Sequence, residues 1–226
     1  MKKRIVVLTG AGISAESGIQ TFRDGDGLWE NHKIEEVATP EAFLQNPKLV
    51  LDFYNHRRQQ VLNSKPNAAH KILSEFQLKY DVQIITQNID DLHERAGSKN
   101  VMHLHGEIVL CRTTNPVKPK FYEYNKDLKV GDKGEDGFQL RPHIVWFGED
   151  VPMIQPAANI VSTADILIIV GTSLVVYPAA NLVNYVPYNT PIYVVDKKLP
   201  NLPKLKNLTA IEKPATIGMQ ELMAFL

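Results

Sequence analysis

The sequence predicts an α/β fold, a Rossmann-like parallel sheet with helices on both faces plus a smaller inserted domain, and three observations predict it. Short apolar runs recur without alternation at Arg4–Thr9, Val82–Thr86, Ile166–Val170 and Ile192–Val195. Helical patterns fall between them. Two of the runs break directly into glycine, as Thr9-Gly10 and Val170-Gly171. An unbroken apolar run suits a strand covered on both faces, and strands that alternate with helices wind into a parallel sheet.

The clearest helical pattern runs from about Asn67 to Tyr80, with Ala69, Ile72, Leu73 and Phe76 on one face and Asn67 placed to cap it. Further helices are predicted near Ala157–Ser162, Pro178–Tyr185 and Thr216–Phe225. Residues 31–66 look helical without a strand partner, and residues 111–145 are rich in Pro, Lys, Gly and aromatics with weak periodicity. Both read as insertions. The expected division is a Rossmann-like domain from 1–30, 67–110 and 146–226, and a small domain from 31–66 and 111–145. Ligands of such sheets bind at the carboxyl ends of the strands, so the cleft is expected there, beside the small domain.

Bulk composition narrows the function. Of 226 residues, 44 % are apolar, enough for a sizeable core, and 25 basic residues balance 25 acidic ones. No long basic run exists, which argues against nucleic acid as a partner. Met1–Arg4 followed by Ile5–Leu8 imitates a signal peptide, but the apolar run breaks into Thr9-Gly10 and suits a first strand better. Ile166–Val170 is too short to cross a membrane. The single cysteine, Cys111, excludes an internal disulfide and a multi-cysteine zinc site within the chain. A reducing, cytoplasmic location is expected.

Four polar clusters carry the chemistry. Gly10-Ala11-Gly12-Ile13-Ser14-Ala15 fits G-x-G-x-x-G/A directly after a strand, where glycine lets the backbone approach a pyrophosphate. An ordinary dehydrogenase would continue into a full helix and a second strand. Here Glu16–Trp29 contains three glycines and no helical period, which reads as a functional loop beside the phosphate site. Arg23 in that loop is either a phosphate contact or a surface charge. The second cluster, Thr86-Gln87-Asn88-Ile89-Asp90-Asp91-Leu92-His93, stands at a strand end, where Asn88 and Asp90 either line the cleft or cap the next helix. In the third, alternation over Val101–His105 puts His103 and His105 on one face of a strand, with no clear third metal ligand nearby. The fourth is Gly171-Thr172-Ser173, whose hydroxyls suit ribose or phosphate.

Together these clusters resemble the sirtuins, the NAD-dependent protein lysine deacylases. The matching stretches are GAGISAESGIQTFRDGDGLW (10–29), TQNIDDLHERAG (86–97), LHGE (104–107), RPHIVWFGE (141–149) and GTSLVVYPAA (171–180), in the family's order and spacing. The likeness is greatest to bacterial members of the desuccinylase-like class. It implies that NAD is consumed: the acyl-lysine carbonyl oxygen attacks C1′ of the nicotinamide ribose, nicotinamide leaves, and the acyl group ends on ADP-ribose. By position, His105 would be the general base, a task suited to a side chain that titrates near working pH. Asn88 and Asp90 would hold the carboxamide and a water, with Ala11 and Ile19 shaping that pocket. The resemblance further assigns the cofactor to Gly10, Gly12, Glu16, Thr21, Phe22, Arg23, Trp29, Gln87, Ile89, Gly171, Thr172, Ser173, Asp196 and Ala215. Val145, Phe147 and Gly148 would pair with an extended substrate. Acylated protein lysines are the expected partners, with neither nucleic acid nor membrane, and the chain is expected to act as a monomer.

Tyr54 and Arg57 lie three apart on a predicted helix, so they share a face. A phenol and a guanidinium converging on one point suit a carboxylate; the plain alternative is a core tyrosine and a solvated arginine. The spacing matches the Tyr-x-x-Arg pair of desuccinylase-like sirtuins, which favours acyl recognition. The chain departs from the family in its zinc module: Cys111 stands where the first of four cysteines would be, and Thr114 replaces its partner. One thiol cannot make a tetrahedral sulfur site, so no structural zinc is expected, and Phe121, Tyr122, Tyr124, Phe138 and Leu140 are expected to pack the module. Asp196 replaces a usual asparagine and should disfavour a 2′-phosphate, so NAD is expected over NADP. The rival readings are an NAD glycohydrolase or protein ADP-ribosyltransferase on the same scaffold, a non-catalytic NAD-sensing module and, weakest, a dehydrogenase.

Overall fold

A computed structural model describes residues 2–20, 32–200 and 207–226 of the chain. Its strands, in chain order, are β1 (Arg4–Thr9), β2 (Asp81–Thr86), β3 (Val101–His103), β4 (Gly106–Thr113), β5 (Phe121–Glu123), β6 (Leu140–Ile144), β7 (Ile166–Val170), β8 (Ile192–Val195) and β9 (Leu208–Ile211). Its α-helices are α1 (Ile34–Val37), α2 (Pro40–Gln45), α3 (Pro47–Asn63), α4 (Ala68–Phe76), α5 (Leu92–Arg95), α6 (Ile154–Val161) and α7 (Ala215–Met223).

Six strands form one parallel sheet in the order β3-β2-β1-β7-β8-β9, as expected for a Rossmann-like fold. The unbroken apolar runs now have their reason. Ile5 and Val7 of β1 join the core under α4 and α7, while Val6 and Leu8 join the opposite core under α6 and the 3-10 helix Ala179–Tyr185. Both faces of the strand are buried, so neither tolerates a polar residue. The strand order reverses between β1 and β7, which opens a crevice at their carboxyl ends.

The helix before β2 starts as expected: the Asn67 side chain accepts from the Ala69 amide. It ends at Phe76, four residues earlier than its pattern predicts, because Gln77–Tyr80 turn into β2. Residues 178–185 form a 3-10 helix and not an α-helix. In the first insertion, Thr39 and Asn46 cap α2 and α3, each followed by proline at the first helical position.

The second insertion, with its weak periodicity, is an antiparallel sheet in the order β5-β4-β6. It begins at Gly106, before the expected boundary. The strand expected over Val101–His105 stops at His103; the chain bends at Leu104 and His105 and enters the second sheet through Gly106, at φ +81°. A Cβ on Gly106 would stand 2.0 Å from the His143 carbonyl oxygen, so only glycine permits this passage. His105 therefore sits at the junction of the two sheets.

The packing of the small sheet differs from expectation. Leu140 is buried, and Tyr122 and Tyr124 lie against its core, but Phe121 is 54 % and Phe138 41 % exposed. Phe121 instead packs edge-on to His143. The core consists of Leu51, Cys111, Leu128 and Leu140, locked by Arg58. The buried Arg58 guanidinium donates to the Ile108 carbonyl at 2.9 Å, to Asn55 Oδ1 at 2.8 Å and to the Lys126 carbonyl at 3.2 Å. Asn55 in turn donates to the Leu128 carbonyl and accepts its amide. A charged side chain from α3 thus ties down the loop that would otherwise need an external staple.

One test concerns the crossing of β1 and β7. Gly171 has φ +64°, and a Cβ there would meet the Ile13 amide nitrogen at 2.2 Å. Gly171→Ala is expected to lower stability by at least about 2 kcal/mol, read as a shift in the urea midpoint at unchanged slope.

Candidate active site

The crevice is floored by backbone. The Gly10 amide donates to the Val170 carbonyl at 3.1 Å, and the Gly12 amide to the Gly171 carbonyl at 2.8 Å. A Cβ on Gly12 would lie 2.6 Å from Gly171 Cα, and one on Gly10 2.8 Å from Thr172 Cβ. The glycines therefore serve first to bring two strand ends into contact. Beyond them the chain makes two short 3-10 turns, Ala11–Ile13 and Ala15–Ser17, in place of a full helix.

Ser14, at the end of the first turn, organises the next cluster. Its hydroxyl accepts from Asn88 Nδ2 at 3.1 Å and donates to Asp90 Oδ2 at 3.0 Å. The other oxygen, Asp90 Oδ1, accepts from the Leu92 amide at the start of α5, at 3.2 Å. Asp90 thus holds the first amide of α5, one of the two roles the sequence left open, and binds Ser14 with its other oxygen. Asn88 points its side chain to Ser14. Burial raises the affinity of Asp90 for its proton, against the Leu92 and Ser14 bonds. Behind this cluster His70 and His93 lie ring to ring at 5.0 Å, and His93 Nε2 lies 3.0 Å from Thr9 Oγ1. Burial holds both rings neutral, His70 down to about 4 and His93 well below its ordinary value.

His105 Nδ1 lies 3.0 Å from the Gln87 carbonyl oxygen. A carbonyl only accepts, so Nδ1 carries the proton and Nε2 keeps its lone pair. Burial depresses the pKa of His105, partly offset by that bond. Gln87 also donates through Nε2 to Thr172 Oγ1 at 3.0 Å, joining the second and fourth clusters across the crevice. His103 faces the same loop, with Nδ1 3.0 Å from the Asn88 carbonyl and Nε2 2.9 Å from Glu94 Oε1. Both its nitrogens are engaged. Among the described residues no group of three or more His, Cys, Asp or Glu is arranged to hold a metal.

Tyr54 and Arg57 are both buried on α3, at 0 and 5 % exposure. The arginine is therefore not the solvated one of the plain alternative. Tyr54 packs against Phe53 at 5.1 Å and Trp146 at 6.3 Å between ring centroids. Burial pushes its phenol well above the ordinary range, against the charge of Arg57. Trp146 is fixed by the Arg141 guanidinium, 3.2 Å above its ring, and Arg141 is held in a double bond to Glu149 at 2.7 and 3.0 Å. Sequence reasoning missed Ser14, His70, His93, Trp146 and Arg141, although all but His70 stand inside a recognised stretch.

The remaining assignments scatter around this centre. Ile19 and Ile89 pack into the core shared with Tyr54 and Trp146. The carboxylate of Glu16 accepts from the Thr216 amide and hydroxyl at 2.9 and 2.8 Å, beside Ala215 at the start of α7. Asp196 ends β8 and accepts from the Lys198 amide. The amides of Val145, Trp146 and Phe147 are bonded inward, to His105 O, Glu149 and Ala38 O. Gly148 is exposed at φ +89°. Thr21, Phe22, Arg23 and Trp29 lie outside the described residues.

This arrangement defines an α/β protein with a six-stranded parallel sheet and a separate small antiparallel sheet. Residues 10–178 match the Sir2 family. A protein of Bacteroides thetaiotaomicron named NAD-dependent protein deacylase is 49 % identical, over 99 % of this chain and 98 % of its own. Solved Sir2 homologues agree: one in complex with ADP-ribose has a TM-score of 0.90 at 40 % identity, covering 99 % of this chain and 91 % of its own. Another, in complex with NAD, has a TM-score of 0.88 at 39 % identity, covering 99 and 89 %. The chain belongs to the Sir2 family.

The buried histidines set the acid stability. His70 is held at about 4, below the ordinary 6.5, so the folded state binds fewer protons than the unfolded state between those values. Stability is complete above about pH 6.5 and is lost as the pH falls towards 4. The urea midpoint is expected to drop steeply across that window; a flat midpoint would contradict the assignment.

Proposed function

We propose that the protein removes acyl groups from protein lysines, with NAD consumed as co-substrate. The observation that carries this reading is the convergence of His105, Gln87, Asn88, Asp90 and Ser14 on the mouth of the glycine crevice. Family membership and the activity named for the Bacteroides relative support it. When bound, NAD would supply an ADP-ribosyl group: with one water consumed, its bond to nicotinamide and the acyl–lysine C–N bond would break, giving nicotinamide, the free lysine amine and O-acyl-ADP-ribose.

The residues of the chain do the rest. His105, with Nδ1 committed to a carbonyl, presents Nε2 as the base for a ribose hydroxyl. Asn88 supplies amide chemistry for the carboxamide, and Asp90, whose proton affinity burial raises, supplies a hydrogen-bonding partner beside it. Thr172 and Ser173, with the Gly10–Gly12 turn, line the way to phosphate and ribose. An extended substrate pairs along Val145, Phe147 and Gly148. The fitting assay is mass spectrometry of products from NAD with acyl-lysine peptides. O-acyl-ADP-ribose establishes the transfer; nicotinamide and ADP-ribose released without acyl transfer would assign the chain to NAD hydrolysis.

The acyl group is read by Tyr54 and Arg57. The two side chains share one face of α3, and the pair offers a fork and a phenol for a carboxylate such as that of succinyl- or malonyl-lysine. A hydrogen bond to a charged group contributes about 1.5–3 kcal/mol, roughly ten- to hundredfold in rate. Arg57→Met should lower desuccinylation by that factor and spare deacetylation; equal loss of both activities would sink the idea.

The small domain holds itself without zinc. Cys111 is buried among Leu51, Leu128 and Leu140, and burial pushes its thiol up to about 11, far from the thiolate a metal needs. Elemental analysis of purified protein should find far less than stoichiometric zinc. Chelator should leave the melting temperature unchanged, while Arg58→Ala should lower stability by about 3 kcal/mol.

A further inference from the structure

We propose that His103 is held as an imidazolium whose two N–H groups clamp the Asn88 carbonyl to Glu94, making it a positioning residue for the Asn88–Asp90 loop. The inference rests on the reading of that loop as part of the active site. Its ground is the chemistry of the two partners. Nδ1 faces a backbone carbonyl at 3.0 Å and Nε2 faces a carboxylate oxygen at 2.9 Å. A carbonyl has no proton to give, and a carboxylate has none either. A neutral imidazole has one N–H, so it satisfies one oxygen and turns a lone pair on the other. Only the doubly protonated ring serves both. Moving the proton to Glu94 would put neutral groups on both sides of a bond that is strongest between charges.

The ring is well placed for this. Its side chain is 7 % exposed, and Glu94 lies in α5, one turn beyond the loop it stabilises. The charged and titratable groups around it come from every neighbouring element: Glu94 and His93 from α5, Glu107 from β4, Asp90 from the loop and His143 from β6. Burial disfavours the charge on His103, but Glu94, the Asn88 carbonyl and Glu107 outweigh it and raise its pKa. His105, two residues on, is shifted the other way. The two histidines therefore stand in opposite states over one pH range: the base neutral, the clamp charged. Above the pKa of His103 the ring loses a proton, one bond fails, and the backbone at Asn88 is released.

The test uses the full chain with nitrogen-15 histidine. In the protein without ligand, both His103 nitrogens should be protonated at pH 7, and the ring should titrate above 6.5. Glu94→Gln, at a partly exposed position, should lower that titration by about one pH unit or more. With an acyl-lysine peptide, wild-type kcat/KM should fall on the alkaline side as His103 loses its proton. In Glu94→Gln that fall should move to lower pH in step, leaving kcat/KM at pH 8 roughly tenfold down, with the acid limb unmoved. A neutral His103 at pH 7, or an alkaline limb that stays put in Glu94→Gln, would overturn the proposal. Absence of acyl-lysine turnover in the wild type would overturn the proposed function instead, and the ring titration would then decide the clamp alone.

Discussion

The rest of the structure depends on one backbone contact, the 2.8 Å bond from the Gly12 amide to the Gly171 carbonyl. Two adjacent parallel strands normally end in loops that diverge. Here the loops are pressed together, and the contact survives only because Gly10, Gly12 and Gly171 carry no Cβ. Once it is made, the positions of the reactive groups follow. Ser14 falls over the end of β2, within reach of Asn88 and Asp90. Thr172 falls within reach of Gln87. The crevice is narrow because its floor is main chain.

Around that floor the groups are mostly uncharged and buried. Asp90, His70, His93 and His105 are all pushed by burial towards their neutral forms. Mobile charges at such a site would be screened by water. Preformed dipoles need no reorganisation when charge appears. The charged residues nearby, Arg141 with Glu149 and Arg58 with its carbonyls, are bound into the framework that holds the walls. Arg57 is buried as well, on the helix that supplies the far wall.

Much of this was legible in the sequence. Strands buried on both faces announce themselves as unbroken apolar runs, so β1, β2, β7 and β8 were readable without an alignment. The Gly10 turn was readable for a similar reason: a rare residue at a strand end marks a backbone constraint. The small sheet was not. β5 has three residues and β6 contains a proline, so neither shows the alternation of a half-buried strand. Phe121 and Phe138 looked like core by composition and stand exposed, while Arg58, a residue that sequence logic sends to the surface, is buried. Ser14, His70 and His93 escaped notice because their role lies in a bond made across the fold, between residues 56 to 84 positions apart.

The central place of β1 also fixes when the site can exist. Its neighbours β2 and β7 begin far along the chain, at Asp81 and Ile166. The loop that follows β1 is fastened by Glu16 to Thr216, two hundred positions away. In synthesis the glycine turn therefore has no partners for its amides until Val170 and Gly171 have followed it. The turn acquires its shape late and all at once, when β7 slots in beside β1. A nascent fragment has no crevice for a nucleotide, so bound NAD can stabilise the finished sheet but cannot guide its assembly.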